Sequence, residues 1–124
     1  MAAKRLQIIQ SYKEGLRNLV KEERLSFLAE DPNCRPNGHI FAIVLESEAK
    51  RKALEQHLAA QGIAAYLHVG ALHTSSFFKG KYKGKELNTG LRFAECLLRL
   101  PVYITLEKKL AERIISSIQS FFKT

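Results

Sequence analysis

Between a proline-containing loop and a run of helix formers lies Ile40-Phe41-Ala42-Ile43-Val44-Leu45, six apolar residues with no polar interruption. A solvent-facing strand alternates polar and apolar positions. An unbroken run rich in Ile and Val instead suits a strand covered on both faces, here predicted over His39 to Leu45. The run is far too short to cross a bilayer, so the rest of the chain must supply its cover. At 124 residues there is room for one core and little for a second.

Helices are the natural cover. Leu6, Ile9, Tyr12, Leu16 and Leu19 recur at spacings of three and four, which predicts a leading helix with one buried stripe. Gly15 lowers its propensity by about 1 kcal/mol relative to Ala, so this helix depends on packing against something else. Glu30 to Gly38 reads as a loop from its turn residues and from Pro32 and Pro36. Ser47 is placed to cap a helix running to Gln61, with Ala53, Leu54, His57 and Leu58 inward and Gly62 as its stop. A second strand over Ile63 to Leu67 is predicted beside the first. Leu91, Ala94, Leu97 and Leu98 have helical spacing, with Thr89 as cap and Pro101 as barrier. A last helix is predicted from Thr105 to Phe122 on the stripe of Leu106, Leu110, Ile114, Ile118 and Phe121. The fold class is α+β, a small antiparallel sheet packed against helices. The domain reading is a single unit over 1–124, with 1–30 as leading helix and connection and 38–124 as core.

Residues 68–88 break the pattern. His68, Gly70, His73, Thr74 and Ser75 lead into Phe77-Phe78-Lys79-Gly80-Lys81-Tyr82-Lys83-Gly84-Lys85, where apolar periodicity disappears. Loops of this length are more often functional than idle. Lysines alternating with Gly and Tyr suit phosphate capture, and the aromatics suit stacking on a base. A solvated loop has the same composition, which leaves both readings open. The net charge of +8 favours anionic partners without choosing among them.

Other chemistries find little support. His68 and His73 lack a neighbouring acidic or sulfur ligand, so no metal site is expected. Cys34 and Cys96 lie far apart with no CxxC partner and read as reduced structural thiols. No P-loop closes the lysine segment, and no Gly-x-Ser-x-Gly elbow is present. Glu95 reads as a helix-surface residue, and His39 and His57 as packing residues. The Met1-Ala2-Ala3-Lys4-Arg5 start leads into an amphipathic segment rather than a signal-peptide core, which predicts a cytoplasmic protein with no membrane partner.

Several segments together resemble a known family. Gly38-His39-Ile40-Phe41, Arg51, Leu54, Leu58 and Gly62-Ile63 lead to His68-Val69-Gly70-Ala71-Leu72-His73, followed by Glu95-Cys96-Leu97-Leu98-Arg99-Leu100-Pro101-Val102-Tyr103. In this order they resemble the C-terminal small domain of the DegT/DnrJ/StrS sugar aminotransferases, and Arg5, Ile9, Tyr12 and Leu16 resemble the helix leading into it. The nearest resemblance is to transaminases of a nucleoside-diphosphate 4-keto-6-deoxy sugar such as TDP-4-keto-6-deoxy-D-glucose. Val69 stands where an aromatic commonly follows the first histidine, and Ala71 where a proline commonly precedes the second.

The resemblance implies the small domain of a fold-type I aminotransferase dependent on pyridoxal phosphate. It implies His68 and His73 as substrate contacts, with Lys79, Lys81 and Lys83 as diphosphate contacts. The cofactor lysine and the aspartate that pairs the pyridine nitrogen belong to a large domain whose motifs this sequence does not match. The chain alone is therefore expected to bind no cofactor and to carry no catalytic residue. It would meet its nucleotide sugar with a large domain, a separately encoded one being among the options. A small basic nucleic-acid-binding module and a relict interaction domain are the alternatives, although nucleic acid is not the expected partner.

Overall fold

A computed structural model describes residues 2–123; the reading of Met1 lies outside them. A three-stranded antiparallel sheet lies at the centre, with strand order β1-β2-β3. The strands are β1 (Leu25–Phe27), β2 (Phe41–Leu45) and β3 (Leu97–Leu100). All five residues of β2 are buried, as its unbroken apolar run requires, and Ile43 pairs with Phe27 on one side and Leu98 on the other. Around the sheet pack α1 (Ala2–Gly15), α2 (Arg17–Lys21), α3 (Glu48–Ala59), α4 (Asn88–Cys96) and α5 (Lys108–Lys123). The fold is α+β, as the sequence predicts.

The leading helix is broken at Leu16 into α1 and α2. Its dependence on packing has a visible cause, because a Cβ on Gly15 would lie 2.6 Å from Ile115 Cγ2 of α5. The two helices meet at a distance that only glycine permits. Tyr12 is fully buried, stacks on Phe41 with ring centroids 5.4 Å apart, and donates its hydroxyl to Pro101 O at 2.7 Å. It thereby ties α1 to the end of β3. Burial, reinforced by the nearby Tyr103, pushes the Tyr12 phenol well above its ordinary range.

Ser47 caps α3 as expected, its hydroxyl accepting the Lys50 N–H at 3.2 Å, and Gly62 with φ +77° takes the chain out of the turn after it. The inward stripe of α3 is Arg51, Leu54 and Leu58, with His57 half-buried, while Ala53 faces solvent. Arg51 can occupy an interior position because its charge is matched there. Its Nε donates to Glu95 O at 2.8 Å and its Nη1 pairs with Glu55. His57 contacts Ser117 O and the Phe121 ring, joining α3 to α5, whereas His39 is exposed rather than packed.

Five further expectations are corrected. Residues 63–67 form no full strand and do not lie beside β2, whose two edges are taken by β1 and β3. They run along the free edge of β3, bridged at Tyr66 and Arg99. Leu97 and Leu98 leave the helix for β3, where the sheet buries them more completely than a helix surface could. Thr89 lies within α4 rather than capping it: the cap position is Leu87, without a side-chain bond. The last helix begins at Lys108 rather than Thr105. Cys34 is exposed, so Cys96 alone of the two thiols is packed.

Candidate functional site

From Gly62 the chain leaves α3 along β3. Ile63 and Ala65 turn inward and are buried, while Tyr66 between strand and loop points out. Arg99 and Tyr66 exchange both main-chain bonds, N–H to O at 2.8 and 3.2 Å. The ladder ends there, so residues 67–70 run exposed without a sheet partner. A short 3₁₀ turn, Leu72–Thr74, follows, and Thr74 Oγ1 donates to Ala71 O at 2.8 Å. Turn bonds such as Lys79 N–H to Ser75 O at 2.8 Å shape the segment up to Tyr82.

The structure places the candidate residues in separate local settings. His68 is exposed, and its Nδ1 lies 3.3 Å from Arg99 Nη1. Since a guanidinium can only donate, Nδ1 accepts and the ring proton sits on Nε2. His73 packs against the Tyr82 ring, centroids 5.4 Å apart, at the edge of a hollow of about 380 Å³ that Leu72, Phe78 and Leu87 also line. Lys81 Nζ stands 4.0 Å over the Phe77 ring, and Lys79 and Lys83 are exposed. Among the described residues no carboxylate pairs with Lys79, Lys81, Lys83 or Arg99. The loop therefore presents unneutralised cations beside exposed rings such as Phe77 and Tyr82, an arrangement suited to an anion carrying a flat, partly apolar body.

Arg51 holds this site from behind. Helix α4 passes into β3 without a linker, which leaves its last carbonyls without helical partners. The buried guanidinium takes one of them, Glu95 O, and so fixes the start of the strand that carries Arg99. Glu95 itself is exposed and contributes only its main chain to this contact. Next to it, burial and then the Glu95 charge push the Cys96 thiol up, which keeps it protonated and unreactive.

The residues present do not fit a pyridoxal phosphate anchor. A Schiff-base lysine works in a desolvated pocket, and none of the lysines among the described residues is buried. Asp31, the one aspartate of the sequence, is an exposed loop residue that accepts the Asn33 N–H at 2.8 Å. Nor do three His, Cys, Asp or Glu side chains gather anywhere among the described residues. Arg99 is the partner of a candidate residue, His68, that sequence reasoning missed. Its signal was a single charge inside the apolar Leu97-Leu98-Arg99-Leu100 ahead of Pro101, the mark of an outward residue on a short strand.

An α+β domain of this topology is found in solved aminotransferase structures. The profile of the DegT/DnrJ/EryC1/StrS aminotransferase family matches residues 1–119, and the chain belongs to that family. DesV from S. venezuelae, solved in complex with a ketimine intermediate, superposes with a TM-score of 0.88 at 26% identity, over 99% of this chain and 32% of DesV. A DegT DnrJ EryC1 StrS aminotransferase from Brucella abortus gives 0.81 at 22% identity over 99% of this chain and 31% of its own. Spr1654 from Streptococcus pneumoniae in its PLP-form gives 0.82 at 22% over 99% and 31%. The chain thus spans about a third of the length of the solved structures it matches. No curated protein sequence matches it. No helix among the described residues is long and apolar enough to cross a membrane.

Proposed function

We propose that this chain serves as the C-terminal small domain of a cytoplasmic, pyridoxal-phosphate-dependent aminotransferase acting on a nucleoside-diphosphate 4-keto-6-deoxy sugar. The observation that carries the reading is the 68–85 loop, whose His68 and lysines face solvent with no carboxylate among the described residues to neutralise them, in a member of a family of aminotransferases. In this reading His68 and His73 contact the sugar, and Lys79, Lys81 and Lys83 steer and hold the diphosphate. The cofactor supplies the amino-group chemistry from a large domain, which comes from another segment of a longer polypeptide or from a separate chain. The residues described here bind and orient; they do not anchor the cofactor.

Two experiments test this. Residues 1–124 with added pyridoxal phosphate, glutamate and TDP-4-keto-6-deoxy-D-glucose are expected to form no amino sugar, and turnover would overturn the assignment of the chemistry to another domain. In calorimetry the same nucleotide sugar is expected to bind. The paired His68→Ala and His73→Ala replacement should weaken binding about tenfold, the scale of one lost polar contact of about 1.4 kcal/mol. Unchanged affinity in that variant would remove the histidines from the site.

A further inference from the structure

The three most exposed large apolar side chains among the described residues are Leu72 (70%), Phe77 (66%) and Val69 (64%), all on the loop between the edge of β3 and α4. We infer that this loop is a peripheral membrane-binding surface, which seats its apolar residues among the headgroups of an anionic lipid leaflet while its lysines meet the phosphates. The inference does not rest on the nucleotide-sugar reading, although the same lysines serve both. It reverses the expectation of no membrane partner, which rests on the lack of a spanning or signal segment; a surface-bound protein needs neither.

The apolar residues are joined in one patch. Leu72, Phe78, Tyr82 and Leu87 line the hollow of about 380 Å³. The Phe78 ring meets Phe77 edge-on with centroids 4.9 Å apart, and Lys81 Nζ lies 4.0 Å over the Phe77 ring. Apolar floor, outer ring and ammonium group are therefore continuous. Tyr82 donates its hydroxyl to Lys85 O, which folds the lysine arm back against the hollow.

The charge is equally one-sided. No Asp or Glu occurs from Gln56 to Lys85. Lys79, Lys81, Lys83 and Lys85 are exposed and meet no carboxylate among the described residues, Glu86 just beyond them included. Four ammonium groups without counter-charge fit a surface of many phosphates better than a single diphosphate. The aliphatic residues then decide between polyanions. A nucleic acid offers flat bases to Phe77 and Tyr82, but it offers Leu72 and Val69 no apolar phase to enter. A lipid leaflet offers both, since lysine stems lie along apolar groups while their heads stay with the phosphates, and tyrosines settle at headgroup depth.

Co-sedimentation of residues 1–124 with vesicles tests the inference, comparing phosphatidylcholine alone with a two-to-one mixture of phosphatidylcholine and phosphatidylglycerol. The chain should bind the anionic vesicles more tightly by about tenfold or more, and salt should release it. Lys81→Gln and Lys83→Gln together should weaken binding about 25-fold, roughly fivefold for each lysine. Leu72→Ser should weaken it several-fold and leave the salt dependence as it is, with unchanged amide shifts in β2 as the folding control. The sequence has no tryptophan, so Leu72→Trp places one reporter in the patch and Leu28→Trp places one beyond β1, at the opposite edge of the sheet. Only the first should shift its emission to the blue when anionic vesicles are added. No binding to anionic vesicles at low salt, equal binding to both kinds, or a blue shift from Leu28→Trp and not from Leu72→Trp would overturn the inference. Salt-sensitive binding of polyuridylate without binding of vesicles would overturn it in favour of a nucleic-acid surface. Each of these results leaves the nucleotide-sugar calorimetry to decide the small-domain reading separately.

Discussion

Aromatic residues are treated in opposite ways at the two ends of this molecule. Around β2 every ring is satisfied, for Tyr12 is stacked on Phe41 and hydrogen-bonded to Pro101, and Phe27 packs on the same Phe41. On the segment from Tyr66 to Phe93, Tyr66, Phe77, Tyr82 and Phe93 are all exposed, alongside Val69 and Leu72. The first region uses apolar area to fold the chain. The second leaves comparable area in water, where it adds nothing to folding and, with lysines interleaved, suits a surface meant to be covered. Buried and exposed aromatic area thus fall on different stretches of one short sequence.

That division is open to attack by mutation. The largest effect should come from Leu54→Ala, because Leu54 is fully buried between helix and sheet; a loss of about 2–5 kcal/mol is expected, measured by chemical denaturation. A loss under about 0.5 kcal/mol would mean that α3 is not part of the folding core. Arg51→Met should cost about 1–3 kcal/mol by stranding Glu95 O and Glu55 without their partner, and should perturb the shifts of β3 more than those of β1.

Tyr12 gives a smaller effect with a sign of its own. Its phenol is harder to ionise in the folded state than its ordinary value of 10.0, so above that pH the unfolded chain loses a proton that the native chain keeps. The unfolded state then binds fewer protons, and stability falls as pH rises through and beyond 10.0. Tyr12→Phe should remove much of that alkaline slope and cost about 1 kcal/mol at neutral pH through the lost bond to Pro101. An unaltered slope would show that Tyr12 is not the group responsible. Smallest of all, Phe77→Ser should change stability by no more than about 0.5 kcal/mol, because the ring is 66% exposed. A larger loss would mean that the loop belongs to the core after all.

Much of the core was legible in the sequence. β2 announced itself by an unbroken apolar run, α3 by the Ser47 cap and Gly62 stop, and α5 by a stripe at helical spacing, because in each a single local rule agrees with the tertiary outcome. β3 was not legible, since Leu97 and Leu98 continue the spacing of Leu91 and Ala94, and only the open edge of β2 decides that they become strand. At three residues, β1 is too short to show a period. In the site, loss of periodicity marked the 68–88 loop and its histidines. Arg99 stayed hidden because its contact with His68 joins positions that only the fold brings together.

The most direct test is amide hydrogen exchange of the chain with and without TDP-4-keto-6-deoxy-D-glucose. In the free chain β2, α3 and α5 should be protected and residues 67–85 should exchange fast. Adding the nucleotide sugar should slow exchange in 67–85 and at the β3 edge while leaving the core unchanged. Protection already present in the free loop, or protection gained elsewhere and not in the loop, would contradict the assignment of recognition to this region.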